Sequence, residues 1–152
     1  METKNKYLLI MRHGHYDPIT RQLTEDGREL LDTKVIPAIL DECSKNGITT
    51  FEHIFYSPQI RTSETAGILA RHAAVKPEQM VLRNEIDDGN GMHPEIMMDF
   101  NRHFLGDTFV CKAVVSHGDV CAALHMLLAK KMKIFKEPGD WALIPLPENG
   151  QT

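Results

Sequence analysis

Arg12, His13 and Gly14 follow an apolar run at Tyr7–Met11, Ser57, Pro58 and Arg61 follow another at His53–Tyr56, and Ser116, His117, Gly118 and Asp119 follow a third at Ala113–Val115. Two arginines and two histidines therefore recur in the same relation to three apolar segments. Guanidinium groups bind phosphate oxygens through paired hydrogen bonds. An imidazole can attack phosphorus, a reaction in which the protein chiefly positions the groups and neutralises charge on the equatorial oxygens. Arginines beside a histidine also disfavour its cation, which keeps His13 usable as a nucleophile near neutral pH. Gly14 and Gly118 let the backbone turn sharply and approach a ligand.

The elements that must position these residues are legible from periodicity. Strands are expected at Tyr7–Met11, His53–Tyr56, Met80–Leu82 and Ala113–Val115, with a weaker one at Trp141–Leu146. Helical period falls at Thr24–Glu42, Pro58–His72, Pro94–Phe104 and Val120–Lys131. Thr24 can cap the first helix, ahead of Glu25 and Asp26 at the positive end of its dipole. Ser57 and Pro58 read as N-cap and first helical residue of the second, which puts Arg61 in a first turn that favours anions. Asp119 can cap the fourth helix, and Pro37 should kink or split the first. Alternating strands and helices give an α/β class: a three-layer α/β/α single domain over residues 1–152, with a mostly parallel central sheet and no large helical insertion. In such sheets ligands bind beyond the carboxyl ends of the strands, where the four cationic and imidazole groups lie.

Composition narrows the partners. A net charge of −4, with no block of five or six basic residues, gives no footprint for nucleic acid or anionic lipid. The apolar run at Tyr7–Met11 is far too short for a membrane span. Cys43, Cys111 and Cys121 are widely spaced and form no CxxC pair, which argues against a disulfide framework or structural zinc and for a reducing cytoplasm. No cysteine opens a C-x5-R phosphate loop, since the sixth residue after Cys111 is His117. His13-x-His15 also suits metal-dependent barrel hydrolases, but such barrels need about 250 residues.

The segments LLIMRHGH, LTEDGRE, FYSPQIRTSETAGIL and VVSHGD resemble the histidine phosphatase superfamily, which includes phosphoglycerate mutases and bacterial phosphohistidine phosphatases. The resemblance runs from about Tyr7 to Thr152. It implies a covalent phospho-His13 intermediate, with Arg12, Arg61 and His117 holding the phosphoryl group. It also implies a general acid from the stretch Leu82–Gly89: Glu85 is the first choice, one residue further from Leu82 than in the family pattern, and Asp88 the second. The long insertion by which mutases build their substrate pocket has no counterpart here, which favours an open-pocketed phosphatase over a mutase.

Ser57, Gly118, His15 and His93 complete the expected phosphate- and substrate-binding set, His15 and His93 by their place in loops beside the site. Two arginines supply the charge a magnesium ion would otherwise bring, so no metal or organic cofactor is expected. The expected partner is a phosphorylated small molecule or phosphoprotein. The alternatives are a mutase-type phosphoryl transferase and a non-catalytic phosphate-binding module. The family's approach to a last strand begins at Trp141, yet the sequence ends at Thr152. A final strand is therefore expected to be lacking, leaving an edge open to dimerisation and a monomer or dimer as the assembly.

Overall fold

A computed structural model describes residues 6–146. Five strands, β1 (Lys6–Arg12), β2 (Ile54–Tyr56), β3 (Met80–Leu82), β4 (Cys111–Ser116) and β5 (Trp141–Leu146), form one sheet in the order β3-β2-β4-β1-β5. The first four run parallel and β5 runs antiparallel to β1. The fold is thus a mixed, mostly parallel sheet flanked by helices. The register sets Arg12 beside Ser116, which aligns the turns after β1 and β4. The expected missing strand concerns residues 147–152, which lie outside the described residues.

Alternation along the strands sends successive side chains to opposite faces. Leu9, Met11, Cys111, Ala113 and Val115 join one core with the helices α2 (Ile36–Lys45) and α3 (Ile60–Ala73) and with Leu31, just past the end of α1 (Glu25–Leu30). Leu8, Ile10, Phe55 and Val114 join the other with α4 (Pro94–Phe104) and α5 (Gly118–Ala129). On that second face Phe55, Phe100 and Phe104 meet with ring centroids 5.3 to 5.4 Å apart, within the range of favourable aromatic pairs.

Helix limits differ from the sequence pattern where side chains compete for backbone. Thr24 caps α1 as expected, its Oγ1 accepting the Gly27 N–H at 2.9 Å. Pro37 does not break the helix. A π-helical turn, Leu31–Val35, joins α1 to α2 and absorbs the proline one residue into α2, a known way of relaxing the ladder. Ser57 is not a helix cap: α3 begins at Ile60 with Gln59 as its N-cap, and the Ser57 hydroxyl is engaged elsewhere. Nor does Asp119 cap α5; it lies within the first turn, and its carboxylate accepts the Gly91 N–H at 3.0 Å.

Candidate functional site

At the carboxyl ends of β1, β2 and β4 an open cavity of about 470 Å³ is lined by Arg12, His13, Tyr16, Arg61, Asp88, Gly89, Met92, His117, Gly118 and Asp119. The backbone after β1 is fastened on three sides. His13 N–H donates to the Ser116 carbonyl at 3.0 Å, and the Gly139 N–H donates to the His13 carbonyl at 2.9 Å. Gly14 N–H donates to Thr65 Oγ1 at 3.1 Å, so α3 holds the turn from the other side. A side chain at Gly14 would bring its Cβ to 2.7 Å from Leu31 Cδ1, so the Leu31 side chain would have to shift to admit one.

The His13 ring is buried, and its Nδ1 lies 2.8 Å from the Gly14 carbonyl oxygen. A carbonyl only accepts, so Nδ1 carries the proton and Nε2 presents a lone pair. Arg61 Nε–H points at that Nε2 at 3.4 Å. The His13 pKa is lowered to about 4, chiefly by burial and in smaller part by His117, Arg61 and Arg12, against the Gly14 bond, which raises it. The arginines expected from sequence to keep this imidazole neutral are therefore secondary to desolvation.

The stability consequence has a definite sign. Unfolding returns His13 toward its ordinary value of 6.5, so the unfolded chain binds more protons between pH 6.5 and about 4. Stability contributed by the neutral buried ring is present above that window and lost as pH falls through it. Tm measured across this window should fall more steeply for the wild type than for His13→Gln. Equal slopes would mean that His13 is not buried as the neutral form.

Arg12 is anchored through NH1, which donates to the Phe135 carbonyl at 3.1 Å and to that of Lys136. Among the described residues its Nε is buried without a partner, an expensive state for a charged donor and one that a phosphate oxygen would relieve. Arg61 lies with its guanidinium carbon 4.6 Å from the Tyr16 ring centroid and NH2 3.6 Å from Asp88 Oδ2. His117 is buried between Arg61 and Ser57, 3.4 Å from Arg61 NH2 through Nδ1 and 2.8 Å from Ser57 Oγ through Nε2. Burial lowers the His117 pKa, and Arg61 lowers it further against Asp88, Asp87 and Asp119.

The sequence expectations divide cleanly. Arg12, His13, Arg61, His117 and Gly118 share the cavity wall. Ser57 lies fully buried behind it as the partner of His117. Glu85 is not at the wall: both its oxygens accept from Arg83, at 3.1 and 2.6 Å. Burial alone would raise the Glu85 carboxyl, but Arg83 outweighs it and holds the group below its ordinary value. The second choice, Asp88, lines the cavity. His15 is exposed beside Thr24, with Nδ1 3.3 Å from its Oγ1. His93 sits over half exposed near Glu95 at 3.8 Å, and its neighbour Met92 lines the cavity instead. Tyr16 was not foreseen. An isolated bridge between Tyr16 and Leu23 brings it back over the site, and Glu64, which accepts the Leu23 N–H at 2.8 Å and pairs with Arg28, pins that loop to α3.

Among the described residues no three His, Cys, Asp or Glu side chains are grouped to hold a metal ion, and no helix is long and apolar enough to cross a membrane.

No protein-family model and no curated protein matches the sequence. Solved structures match the fold. The putative phosphohistidine phosphatase SixA from Agrobacterium tumefaciens aligns with a TM-score of 0.66 at 14% identity, over 92% of this chain and 90% of that one. The protein histidine phosphatase SixA in complex with tungstate aligns at 0.62 and 16%, over 92% and 96%. A phosphoglycerate mutase from Plasmodium falciparum aligns at 0.61 and 19%, over 85% and 72%. The chain therefore shares its fold with these two phosphatases and with the mutase.

Proposed function

We propose that this chain, which has the histidine phosphatase fold, is a phosphatase that works through a covalent phospho-His13. The observation that carries the reading is the His13 tautomer: with Nδ1–H given to the Gly14 carbonyl, the Nε2 lone pair meets the space bounded by Arg12, Arg61 and His117. In the first step Nε2 forms a bond to phosphorus as the bond to the leaving group breaks, its electron pair departing with that group. Arg12 and Arg61 neutralise charge on the equatorial oxygens, the term that dominates such reactions. Water then attacks phosphorus, giving a proton to the Asp88 carboxylate at the cavity wall, and the N–P bond breaks with its electron pair returning to His13 as inorganic phosphate leaves. The arginines supply the positive charge, so the reaction as proposed needs no metal.

A leaving alkoxide needs a proton. Glu85 is committed to Arg83, so we assign the donor to Asp88, the carboxyl at the cavity wall. A phosphoramidate such as phosphohistidine has a better leaving group and depends less on that donor. The open cavity and the phosphohistidine phosphatases among the structural neighbours favour that substrate class. With p-nitrophenyl phosphate and with a phosphohistidine peptide, both in EDTA, Glu85→Gln should stay within about two-fold of wild type. Asp88→Asn should slow poor alkyl leaving groups by about 10²-fold and phosphohistidine far less. Loss of activity in Glu85→Gln, with Asp88→Asn unaffected, would return the acid role to Glu85. A wild type inert toward every phosphorylated substrate that still binds phosphate would make the protein a binding module.

A further inference from the structure

Behind His117 lies a hydrogen-bonded chain that the phosphate chemistry itself does not require. Ser57 and Thr62 are both fully buried. Ser57 Oγ lies 2.8 Å from His117 Nε2 and 2.7 Å from Thr62 Oγ1, and Thr62 Oγ1 lies 2.8 Å from the Ser57 carbonyl oxygen and 2.9 Å from that of Gln59. Carbonyls only accept, so the one Thr62 proton goes to them and Thr62 Oγ1 must accept from Ser57. That commits the Ser57 proton, and Ser57 Oγ can then only accept from His117. His117 accordingly carries its proton on Nε2. At the other side of the ring Arg61, which only donates, faces Nδ1 at 3.4 Å. Both ends of the chain give the same polarity.

We propose that the Thr62–Ser57 hydroxyl pair fixes the resting proton of His117 on Nε2 and leaves Nδ1 as a proton acceptor, so that an oxyanion is bound together with one proton taken up at His117. The inference rests on the phosphate-site reading above. A bound oxyanion offers Nδ1 only acceptor atoms, and a bare lone pair there would repel them; protonating Nδ1 converts the repulsion into a charge-assisted hydrogen bond. Nε2–H stays with Ser57, and Asp87 Oδ1 at 3.7 Å supports the cation. The other charged or titratable groups around the ring are Arg61 from α3, which opposes the cation, Asp88 from the loop after β3 and Asp119 from α5, which favour it, and His13, whose ring centroid is 5.3 Å away. Burial and Arg61 keep resting His117 neutral, and the charge of the incoming anion tips the balance. Ser57 and Thr62 are positioning residues in this scheme, since they act through His117.

Tungstate is a suitable probe because it remains a dianion near neutral pH and brings no proton of its own. Calorimetric titration of tungstate in buffers of different ionisation enthalpy gives the proton count directly. Wild type should take up about one proton per tungstate. In Thr62→Val the Ser57 hydroxyl is released to donate to Nε2, the His117 proton moves to Nδ1, and the count should fall toward zero. Thr62→Ser should restore it. Ser57→Ala, which removes the acceptor at Nε2, gives a second route should Thr62→Val fail to fold, and its count should fall likewise. His13→Ala should keep the count, locating the proton at His117. A merely structural role would change affinity and leave the count alone. Tungstate binding without proton uptake in wild type, or full uptake in Thr62→Val, would overturn the proposal while leaving the phosphatase assignment intact. Conversely, a protein that hydrolyses nothing could still pass the proton-count test.

Discussion

His13→Ala should abolish turnover of p-nitrophenyl phosphate, with a loss of about 10⁴- to 10⁶-fold, the range seen when a covalent nucleophile is removed. The expectation is large because no neighbouring group can take over. His117 approaches the pocket, but in the scheme above its Nδ1 is protonated once the anion binds and offers phosphorus no lone pair, and Cys121, four residues after His117, is fully buried, which raises its pKa. Initial rates should be paired with a rapid acid-free quench of radiolabelled substrate. Wild type should yield an acid-labile, alkali-stable protein phosphate, and the variant none. Retention of more than about a hundredth of wild-type kcat, or an unchanged yield of labelled protein, would place the nucleophile elsewhere.

Arg61→Ala is the second large effect, at about 10²- to 10³-fold in kcat, comparable to removing one donor from an oxyanion-stabilising set. This side chain is shared by several partners: Nε is directed at His13 Nε2, NH2 at His117 Nδ1 and Asp88, and the guanidinium plane lies against Tyr16. A lysine carries the charge but cannot meet two imidazoles and a carboxylate from one planar fork. Arg61→Lys should therefore recover less than a tenth of the loss. Steady-state kcat and KM for both variants decide the matter, since full rescue by lysine would reduce the role of Arg61 to charge alone.

How much of this was readable beforehand depended on where each residue's partners lie. Arg12, His13, Arg61 and His117 were legible because strand ends in a parallel sheet share one edge, so residues following apolar runs must converge. The layers followed from the same alternation. Side-chain pairing across long sequence separation was not legible. Even a short separation can hide a partner: Glu85 suits the acid role by position, but both its oxygens accept from Arg83 two residues earlier, and nothing in the local pattern distinguishes a carboxylate facing a pocket from one facing an arginine. Ser57 before Pro58 has the signature of a helix cap, yet a buried imidazole sixty residues later claims the hydroxyl. Tyr16 depends on the Tyr16–Leu23 bridge, and that bridge on Glu64, so its place follows from α3 and could not be read near residue 16. Pro37 was read correctly as a disturbance, but the helix had a cheaper response in the π turn than breaking.

The anchoring of Arg12 and His13 has a consequence for when the protein becomes competent. The guanidinium of Arg12 is held by the carbonyls of Phe135 and Lys136, its backbone N–H by that of Asp140, and the His13 carbonyl by the Gly139 N–H. Residues near the beginning of the sequence thus acquire their working geometry only from a segment more than 120 positions later. Synthesis proceeds from the N-terminus, and contacts of such separation close late. Under the proposed mechanism, a nascent chain already carrying Arg12, His13 and Arg61 would still be chemically inert. Under that mechanism, turnover requires the segment at 135–140 to have docked, and an activity assay would report that the fold is complete.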